Sequence, residues 1–486
     1  MKALLRAGKR VVDALRAPSS SPGCRHCEQL RKENARLRKQ NQAQKEMIAR
    51  LRDSLATARR ASKRQAAPFS KGPPKAHPKR SGRKPGKNYG RKARRPVPDH
   101  VDETYEAPLG PCCAYCGSED MEELRVVDQY EEDIPPVTPR RRRFRIHVGR
   151  CRRCRRRSQG RHPLQTSDAI GAANVHLGPR AKALAADLGK HVGMSFGKLS
   201  RIFRTTFSLS ITRGGLSQVV DRVAKALAPT YDALVEQVQN ARVVAGDETG
   251  WKVGGELAWL WVVVTRKVTV FRIMEGRGFE EASTILGADF DGTLVRDGWA
   301  PYRKFEQAIH QTCIGGHLIH RCKENLETAQ AGAARLPHAV LRIFQRALCL
   351  RDHWIEHPPT PHGRAIHVGI ITTAMDRLLD WSPTDEENRK LVKHLLNERD
   401  ALFTFLKDPS VPASNHWAEQ AIRPAVVTRK IWGGNRTWRG AETQWILATA
   451  FRTCEQQGVD PEPLITEVLR SRLPRLASLP SLASGP

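Results

Sequence analysis

ARVVAGDETGW, residues 241–251, is the stretch whose reading decides the fold. Val243, Val244 and Ala245 begin an apolar, β-branched run that carries into Asp247, as a strand does. Two more runs follow at once, LAWLWVVVT (257–265) and VTVFRIMEG (268–276), with a short turn expected near Arg266-Lys267. FEEASTIL (279–286) has helical spacing, and GTLVRD (292–297) returns to a strand that ends in Asp297.

Three strands, a helix and a fourth strand open a ribonuclease H-like core. Asp247 ends the first strand in this reading and Asp297 ends the fourth. A third acid, Glu419 in SNHWAEQAIRP (414–424), falls on a later helical run that would pack on the sheet. Carboxylates gathered this way can hold two Mg²⁺ about 3.5–4 Å apart, the arrangement used for in-line phosphoryl transfer. One ion would activate a water or 3′-hydroxyl and the other would stabilise the leaving oxygen. Mg²⁺ suits such a set because it takes oxygen ligands and keeps several waters. A single Asp is more often a turn residue, as at Asp291-Gly292. The joint context sets these three apart, and much of that weight comes from the resemblance described below.

The 486 residues carry a formal net charge of +32. Residues 1–165 hold 42 Lys and Arg against 17 Asp and Glu, and the rest is nearly balanced. That asymmetry points to a nucleic-acid-binding front end on a near-neutral body. Charge alone does not choose between DNA, RNA and acidic lipid. No apolar run is long enough to span a bilayer. The start, MKALLRAGKRVVDALR, reads as an amphipathic helix and not as a signal peptide. Eleven Cys in a chain of this length do not make a disulfide scaffold. A cytoplasmic protein with no membrane partner is expected.

The expected organisation is multidomain and α+β. Residues 1–60 hold the amphipathic start and a coiled coil. Its seam runs through Leu30, Leu37, Gln44, Leu51 and Ala58, with Asn34, Asn41, Ile48 and Leu55 opposite. Asn on such a seam favours a fixed register and a dimer; a lone solvated helix is the alternative. Cys24 and Cys27 just precede it, and one CxxC is a weak metal signal. Residues 61–99 form a basic arm: 61–98 holds 13 Lys and Arg and no acid. Arg83, Lys84, Lys87, Arg91 and Lys92 in SGRKPGKNYGRK would follow phosphates, or the arm is only a solubilising linker.

Residues 100–165 read as a zinc ribbon. Cys113 and Cys116, then Cys151 and Cys154, supply two knuckles for a tetrahedral thiolate site, with Cys112 as a spare. EELRVVDQYEEDIPP and RRRRFRIHVGR between them are expected as strands, and Arg140, Arg141, Arg142 and Arg143 as DNA contacts. Residues 166–240 are helical. SFGKLSRIFRTTF and TRGGLSQVVDRVAKAL have helix-turn-helix length, with Thr212 as N-cap of the second; a plain bundle packed on the core is equally open. The catalytic core spans 241–457 with a helical insertion at about 326–407, and 458–486 is a C-terminal element and tail.

GRKPGKNYGRK, the four-Cys segment, GDETGW, VRDGWAPY, HQTCIGGHL, NHWAEQAIRP, the RKIW segment with its following Gly-rich loop, and ATAFRTCEQQGVDP occur in an order that resembles the transposases of the IS66 family of bacterial insertion sequences. The likeness runs over roughly 24–460. It implies a Mg²⁺-dependent DDE transposase, with Asp247, Asp297 and Glu419 as the metal-binding triad. It implies 3′-end cleavage at terminal inverted repeats, strand transfer into target DNA, and small accessory proteins of the same element. The chain departs from the family pattern at Ser414-Asn415, at Glu419-Gln420 and in the spacing of CIGGH.

Around the triad, His317 and Arg321 are candidates to touch the scissile phosphate, and Asn415 to orient a metal or phosphate. Arg423, Arg429 and Lys430 would grip the DNA backbone, unless they are only a solvated helix face. Trp299 is the candidate to stack on a frayed base, whereas Trp251, Trp259 and Trp261 are expected in the core. His310, Cys313, His317 and Cys322 form a string that either holds a second zinc or is simply a helix with satisfied His and buried Cys. Rival functions are an inactive DNA-binding descendant, a structure-specific nuclease on the same core, and a zinc-ribbon transcription regulator.

Overall fold

The computed structural model describes residues 25–63, 95–166, 175–329 and 331–471, in two units that divide after Arg80. Arg83 to Lys92, expected to follow phosphates, Cys24, the start expected as an amphipathic helix and the final tail lie outside the described residues.

In the first unit, α1 (Arg25–Lys63) is one continuous helix. Leu30, Leu37, Ile48 and Leu51 on its expected seam are all exposed in the single chain. In the second unit, β1 (Val148–Arg150) and β2 (Arg157–Gln159) make a short antiparallel hairpin around the second Cys pair. The longer strands expected over 121–147 do not form. Leu124, Val126, Val127 and Ile134 there are exposed, so no second layer buries the alternate apolar residues that would hold a sheet together.

Three helices follow: α2 (Pro179–Ala186), α3 (Phe196–Thr205) and α4 (Arg213–Gln239). Thr212 caps α4 as expected, accepting from the Gly215 amide, and Ser195 caps α3 by accepting from the Lys198 amide. Leu199 and Phe203 of α3 pack on Leu216 and Val219 at the start of α4. Further along α4, Val220, Val223, Leu227 and Leu234 join one core with Val244, Val263 and Leu294 of the sheet. The expected boundary at 240 is therefore not a break in packing, because α4 is part of a helical layer under the sheet.

The sheet contains β3 (Val243–Val253), β4 (Glu256–Val264), β5 (Thr269–Met274), β6 (Thr293–Arg296) and β7 (Ile309–Thr312), in the order β5-β4-β3-β6-β7. β3, β4 and β5 are antiparallel neighbours, whereas β6 runs parallel to β3 and β7 parallel to β6. Gly254 and Gly255, with φ of 64° and 95°, make the two-residue turn between β3 and β4, a conformation that glycine adopts without strain. α5 (Phe279–Leu286) links β5 to β6 over the residues expected for it. β7 lies at the start of a stretch expected to be mostly helical from 311; its four residues are too short for a periodic signal.

Both sheet edges are covered. The Phe271 amide donates to Thr449 Oγ1 at 2.9 Å, and the Thr269 amide donates to Thr453 Oγ1 at 3.2 Å. At the other edge, Thr404 Oγ1 donates to the His310 carbonyl at 2.7 Å, and the Phe405 amide donates to Gln311 Oε1 at 2.9 Å. Three threonine hydroxyls from helices thus occupy backbone groups that an open edge would offer to another chain, and Gln311 ties its strand to Phe405 through its side chain.

Between β7 and the last helices come α6 (Ile319–Thr328), α7 (Arg335–Glu356), α8 (Pro361–Leu379), α9 (Glu386–Asn397) and the short α10 (Thr404–Lys407). They fill the expected helical insertion and bury Val340, Phe344, Ile371 and Leu395 in one core with Ala245, Val262 and Val295. α11 (His416–Trp432), α12 (Trp438–Gln457) and α13 (Pro461–Arg470) complete the fold. Leu464 and Ile465 of α13 belong to the same core as α4 and the sheet. Among the described residues no helix is long and apolar enough to cross a membrane.

Candidate active site

Strand register explains how two distant acids meet. β3 and β6 pair in parallel from Val243 opposite Thr293 to Ala245 opposite Val295. Side chains alternate faces along a strand. Carrying this register two residues further sets Asp297 beside Asp247, on the face shared by Ala245 and Val295. The helices of the insertion and α11 cover that face, and Ala418, Ala421 and Ile422 of α11 pack into its core. Glu419 lies in the first turn of α11. Asp247 does not end its strand as expected. It sits opposite Val262 inside the β3–β4 hairpin, at the point where pairing to β6 has stopped.

Asp247 lies within reach of the charges on the other two acids. Burial, then Glu248, then Asp297 and Glu419, push the Asp247 carboxyl up to about 7, against a donated hydrogen bond from the Glu248 amide at 2.9 Å. The Asp297 carboxylate accepts from the Trp299 amide at 2.9 Å, which fixes the turn after β6. Asn415, the N-cap of α11, is buried. Its Nδ2 donates to the Gly246 carbonyl at 2.8 Å and its backbone amide donates to Cys313 Sγ at 3.4 Å. Its Oδ1 is buried with no hydrogen-bond partner.

Glu248 points to the opposite face of β3 and builds a frame for Asp247. It accepts from Tyr302 Oη at 2.7 Å and from Arg277 Nε at 2.8 Å. Burial raises both the Glu248 carboxyl and the Tyr302 hydroxyl above their ordinary values, and the carboxylate beside Tyr302 adds to that residue's rise. Arg277 stacks its guanidinium 3.9 Å over Trp299 and 4.7 Å over Trp259. Gly246 lets the strand and the ring approach closely, because a Cβ would lie 3.3 Å from the Tyr302 ring.

A second frame holds the turn at Asp297. Arg296 and Glu398 are 2% and 1% exposed, and they pair at 2.7 Å. Glu398 also takes Arg303 at 2.8 Å, and Arg296 Nη1 donates to the Asp297 carbonyl at 3.0 Å. Glu398 follows α9, so the end of the helical insertion is anchored to the residue preceding the second acid. Sequence reasoning missed Glu398 and the role of Glu248. No motif marks Glu398, which lies about a hundred residues from its partner; Glu248 stood in plain view beside Asp247.

The remaining candidates divide. His317 Nε2 lies 3.7 Å from Glu419 Oε1, and Cys313 joins them in a group whose ligating atoms all lie within 4.8 Å of one another. His310 is elsewhere: its ring bridges Arg296 Nε and the Phe305 carbonyl. Cys322 is buried, and burial pushes its thiol up to about 12. The string from His310 to Cys322 therefore does not close into one site. Arg321 is half-buried on α6. Arg423 is exposed on α11, whereas Arg429 and Lys430 are half-buried there, with Arg429 close to Gly250 on β3. Trp299 is half-buried, with Arg277 on its ring and its Nε1 donating to the Arg277 carbonyl at 3.2 Å. Trp251 and Trp261 are core residues, as expected.

Each Cys knuckle forms by itself. The Cys113 amide donates to the Ser118 carbonyl and the Gly117 amide to the Cys113 carbonyl. The Cys151 amide donates to the Arg156 carbonyl, and Arg155 takes a left-handed φ of 61°. Backbone amides aimed at the sulfurs hold the Cys113 and Cys151 thiols below their ordinary values. Among the described residues, the two pairs are not gathered into one four-thiolate group within ligating distance. Arg140, Arg141, Arg142 and Arg143 stand exposed between them.

Over 294 residues the chain is 22% identical to the uncharacterized protein y4qI of Sinorhizobium fredii, covering 54% of this chain and 53% of that protein. It is 23% identical over 294 residues to y4jD of the same organism, covering 54% and 56%. The chain thus spans about half the length of these curated relatives. A family model described as the IS66 family transposase matches residues 176–443, from the helices before the sheet to α12. With more than half of its length matched, the chain belongs to the IS66 transposase family.

Proposed function

We propose that this chain is a DNA transposase that cleaves the 3′ ends of an IS66-like element and joins them to target DNA by two-metal-ion phosphoryl transfer. The observation that carries the reading is the convergence of Asp247, Asp297 and Glu419 on one face of the sheet, close enough for the last two to raise the first. The strand order β5-β4-β3-β6-β7, with three antiparallel and two parallel members, supports a ribonuclease H-like core.

The residues fit Mg²⁺. The donors are carboxylate oxygens, two of which raise the third, and Asn415 adds a buried oxygen without a protein partner. Asp247, Asp297 and Glu419 would hold the ions. Bound there, Mg²⁺ supplies activation of the attacking hydroxyl or water and stabilisation of the leaving oxygen. Glu248, Tyr302 and Arg277 keep Asp247 in place from the far side of the strand. Arg296 and Glu398 keep Asp297 in place. Arg423 and Arg429 follow Glu419 along α11 and present positive charge to the backbone of a bound strand, whereas the Lys430 Nζ is buried.

The exposed Arg140–Arg143 run and the basic arm supply sequence-independent grip on element ends and target DNA. The two Cys knuckles, with amides already aimed at sulfur, support a structural Zn²⁺ that draws them together. The exposed seam of α1 supports pairing with a second copy. Work on bacterial DNA in the cytoplasm, with small accessory proteins of the same element, completes the reading.

The test is strand cleavage on DNA carrying the element's own ends in Mg²⁺, comparing wild type with Asp297→Ala. Nicking at the ends that disappears in the variant is expected. Nicking retained in Asp297→Ala would overturn the triad.

A further inference from the structure

One group next to the triad is chemically unlike it. Cys313, His317 and Glu419 place sulfur, imidazole nitrogen and carboxylate oxygen within 4.8 Å of one another. Sulfur and nitrogen are poor ligands for Mg²⁺ and good ones for a borderline-soft ion such as Zn²⁺. With Zn–S of about 2.3 Å and Zn–N and Zn–O of about 2.0–2.2 Å, tetrahedral ligands stand about 3.3–3.6 Å apart. His317 Nε2 and Glu419 Oε1 are already 3.7 Å apart. Both side chains are about half exposed and can move the remaining distance.

Burial, with Glu419 nearby, holds the Cys313 thiol above its ordinary value, and backbone amides aimed at the sulfur offset part of that rise. Cys313 is fully buried, at the entrance to the turn Ile314–Leu318. Its Sγ accepts from the Asn415 amide at 3.4 Å, and the amides of Gly316 and His317 also turn toward it. Such amides stabilise a thiolate once a metal has displaced its proton to solvent. Gly316 leaves the space between the ligands open, since a Cβ there would lie 3.1 Å from Glu419 Oε1 and 3.2 Å from Cys313 Sγ.

We propose that Cys313, His317 and Glu419 form a site for a thiophilic divalent cation of the zinc class, and that filling it withdraws Glu419 from Asp247 and Asp297. Zinc then acts as an inhibitor that competes with the catalytic ions for one shared carboxylate. The site itself stands on geometry; its inhibitory consequence rests on the triad reading.

The experiment uses full-length protein freed of metal and titrated with Co²⁺, followed by absorption of the cobalt–thiolate band. Wild type should take up one Co²⁺ more than Cys313→Ser or His317→Gln. The knuckle cysteines are common to all three proteins and cancel. Equal Co²⁺ uptake by the three would overturn the site. Because Cys313 is buried and its variant can misfold, the exposed His317 variant decides if the two disagree. In a second arm, bound Mn²⁺ is counted by electron paramagnetic resonance. One added equivalent of Zn²⁺ beyond that filling the knuckles should weaken Mn²⁺ binding at least tenfold in wild type and not in His317→Gln. Extra Co²⁺ with undisturbed Mn²⁺ would refute the withdrawal of Glu419. Equal Mn²⁺ binding by wild type and Asp297→Asn would instead show that the triad reading has failed, with the Co²⁺ count still deciding the site.

Discussion

Asp247→Asn should make the metal-free protein more stable and unable to use metal. In wild type, burial and three neighbouring acids raise this carboxyl from 3.8 to about 7. A tenfold change in proton affinity is worth about 1.36 kcal/mol, so ionising Asp247 in the folded state above pH 7 costs on the order of 4 kcal/mol. Partial solvent access reduces this to about 1–3 kcal/mol. Asn keeps an oxygen to accept the Glu248 amide, so the hydrogen bond at 2.9 Å survives the change.

Proton binding sets the sign. Between about pH 4 and 7 the folded chain holds the Asp247 proton more tightly than the unfolded chain does. Stability contributed by the protonated form is therefore fully present below about pH 4 and is lost as pH rises through about 7. Urea unfolding in chelator at pH 5 and pH 8, followed by the fluorescence of buried Trp251 and Trp261, measures it. The variant should lose less stability than wild type between the two pH values and exceed it at pH 8. Mg²⁺ at about 100 times its Kd should return about 2.7 kcal/mol to wild type and nothing to the variant. A variant less stable than wild type at pH 8 without metal would refute the reasoning.

Glu398→Ala leaves the buried Arg296 guanidinium without its carboxylate partner, a change that typically costs about 3–5 kcal/mol. A matching fall in the urea midpoint, together with weakened Mn²⁺ binding at Asp297, is expected; unchanged Mn²⁺ affinity in a folded variant would separate the insertion from the site. Ser substituted for Cys113 or Cys151 should lower zinc content by one ion per chain, measured by elemental analysis, and weaken DNA binding while leaving Mn²⁺ binding intact. Equal zinc content in these variants and wild type would remove the ribbon from the account.

The sheet was legible in the sequence because its strands are dense in β-branched and aromatic residues and its turns are short. FEEASTIL formed the expected helix, and Thr212 caps α4 as its hydroxyl and position suggested. What misled was local pattern without a partner. EELRVVDQYEEDIPP alternates like a strand, yet nothing packs on it, and it stays irregular. β3 runs past Asp247 because the two glycines after Val253 fold the hairpin back at its far end, a constraint that lies beyond the run of residues around the acid. α4 carries one apolar face through to the sheet, the packing that the alternative of a plain bundle on the core had left open.

The site shows the same division more sharply. The three acids were singled out by their joint context and largely by the family resemblance, and their meeting depends on the β3–β6 register and on α11 docking over it. The groups that hold them are longer-range still. Glu398 meets Arg296 across about a hundred residues, and Asn415 ties Cys313 to Gly246 across two elements. Both are buried polar residues whose apolar surroundings would be unfavourable without these partners. A buried Glu or Asn at the end of a helix has no periodic signature, so its burial becomes apparent only when the sheet and the insertion are assembled. The long insertion thus has a structural reason to remain. It covers the β7 edge and carries the carboxylate that steadies the turn bearing Asp297, so shortening it would disturb the site without touching an acid.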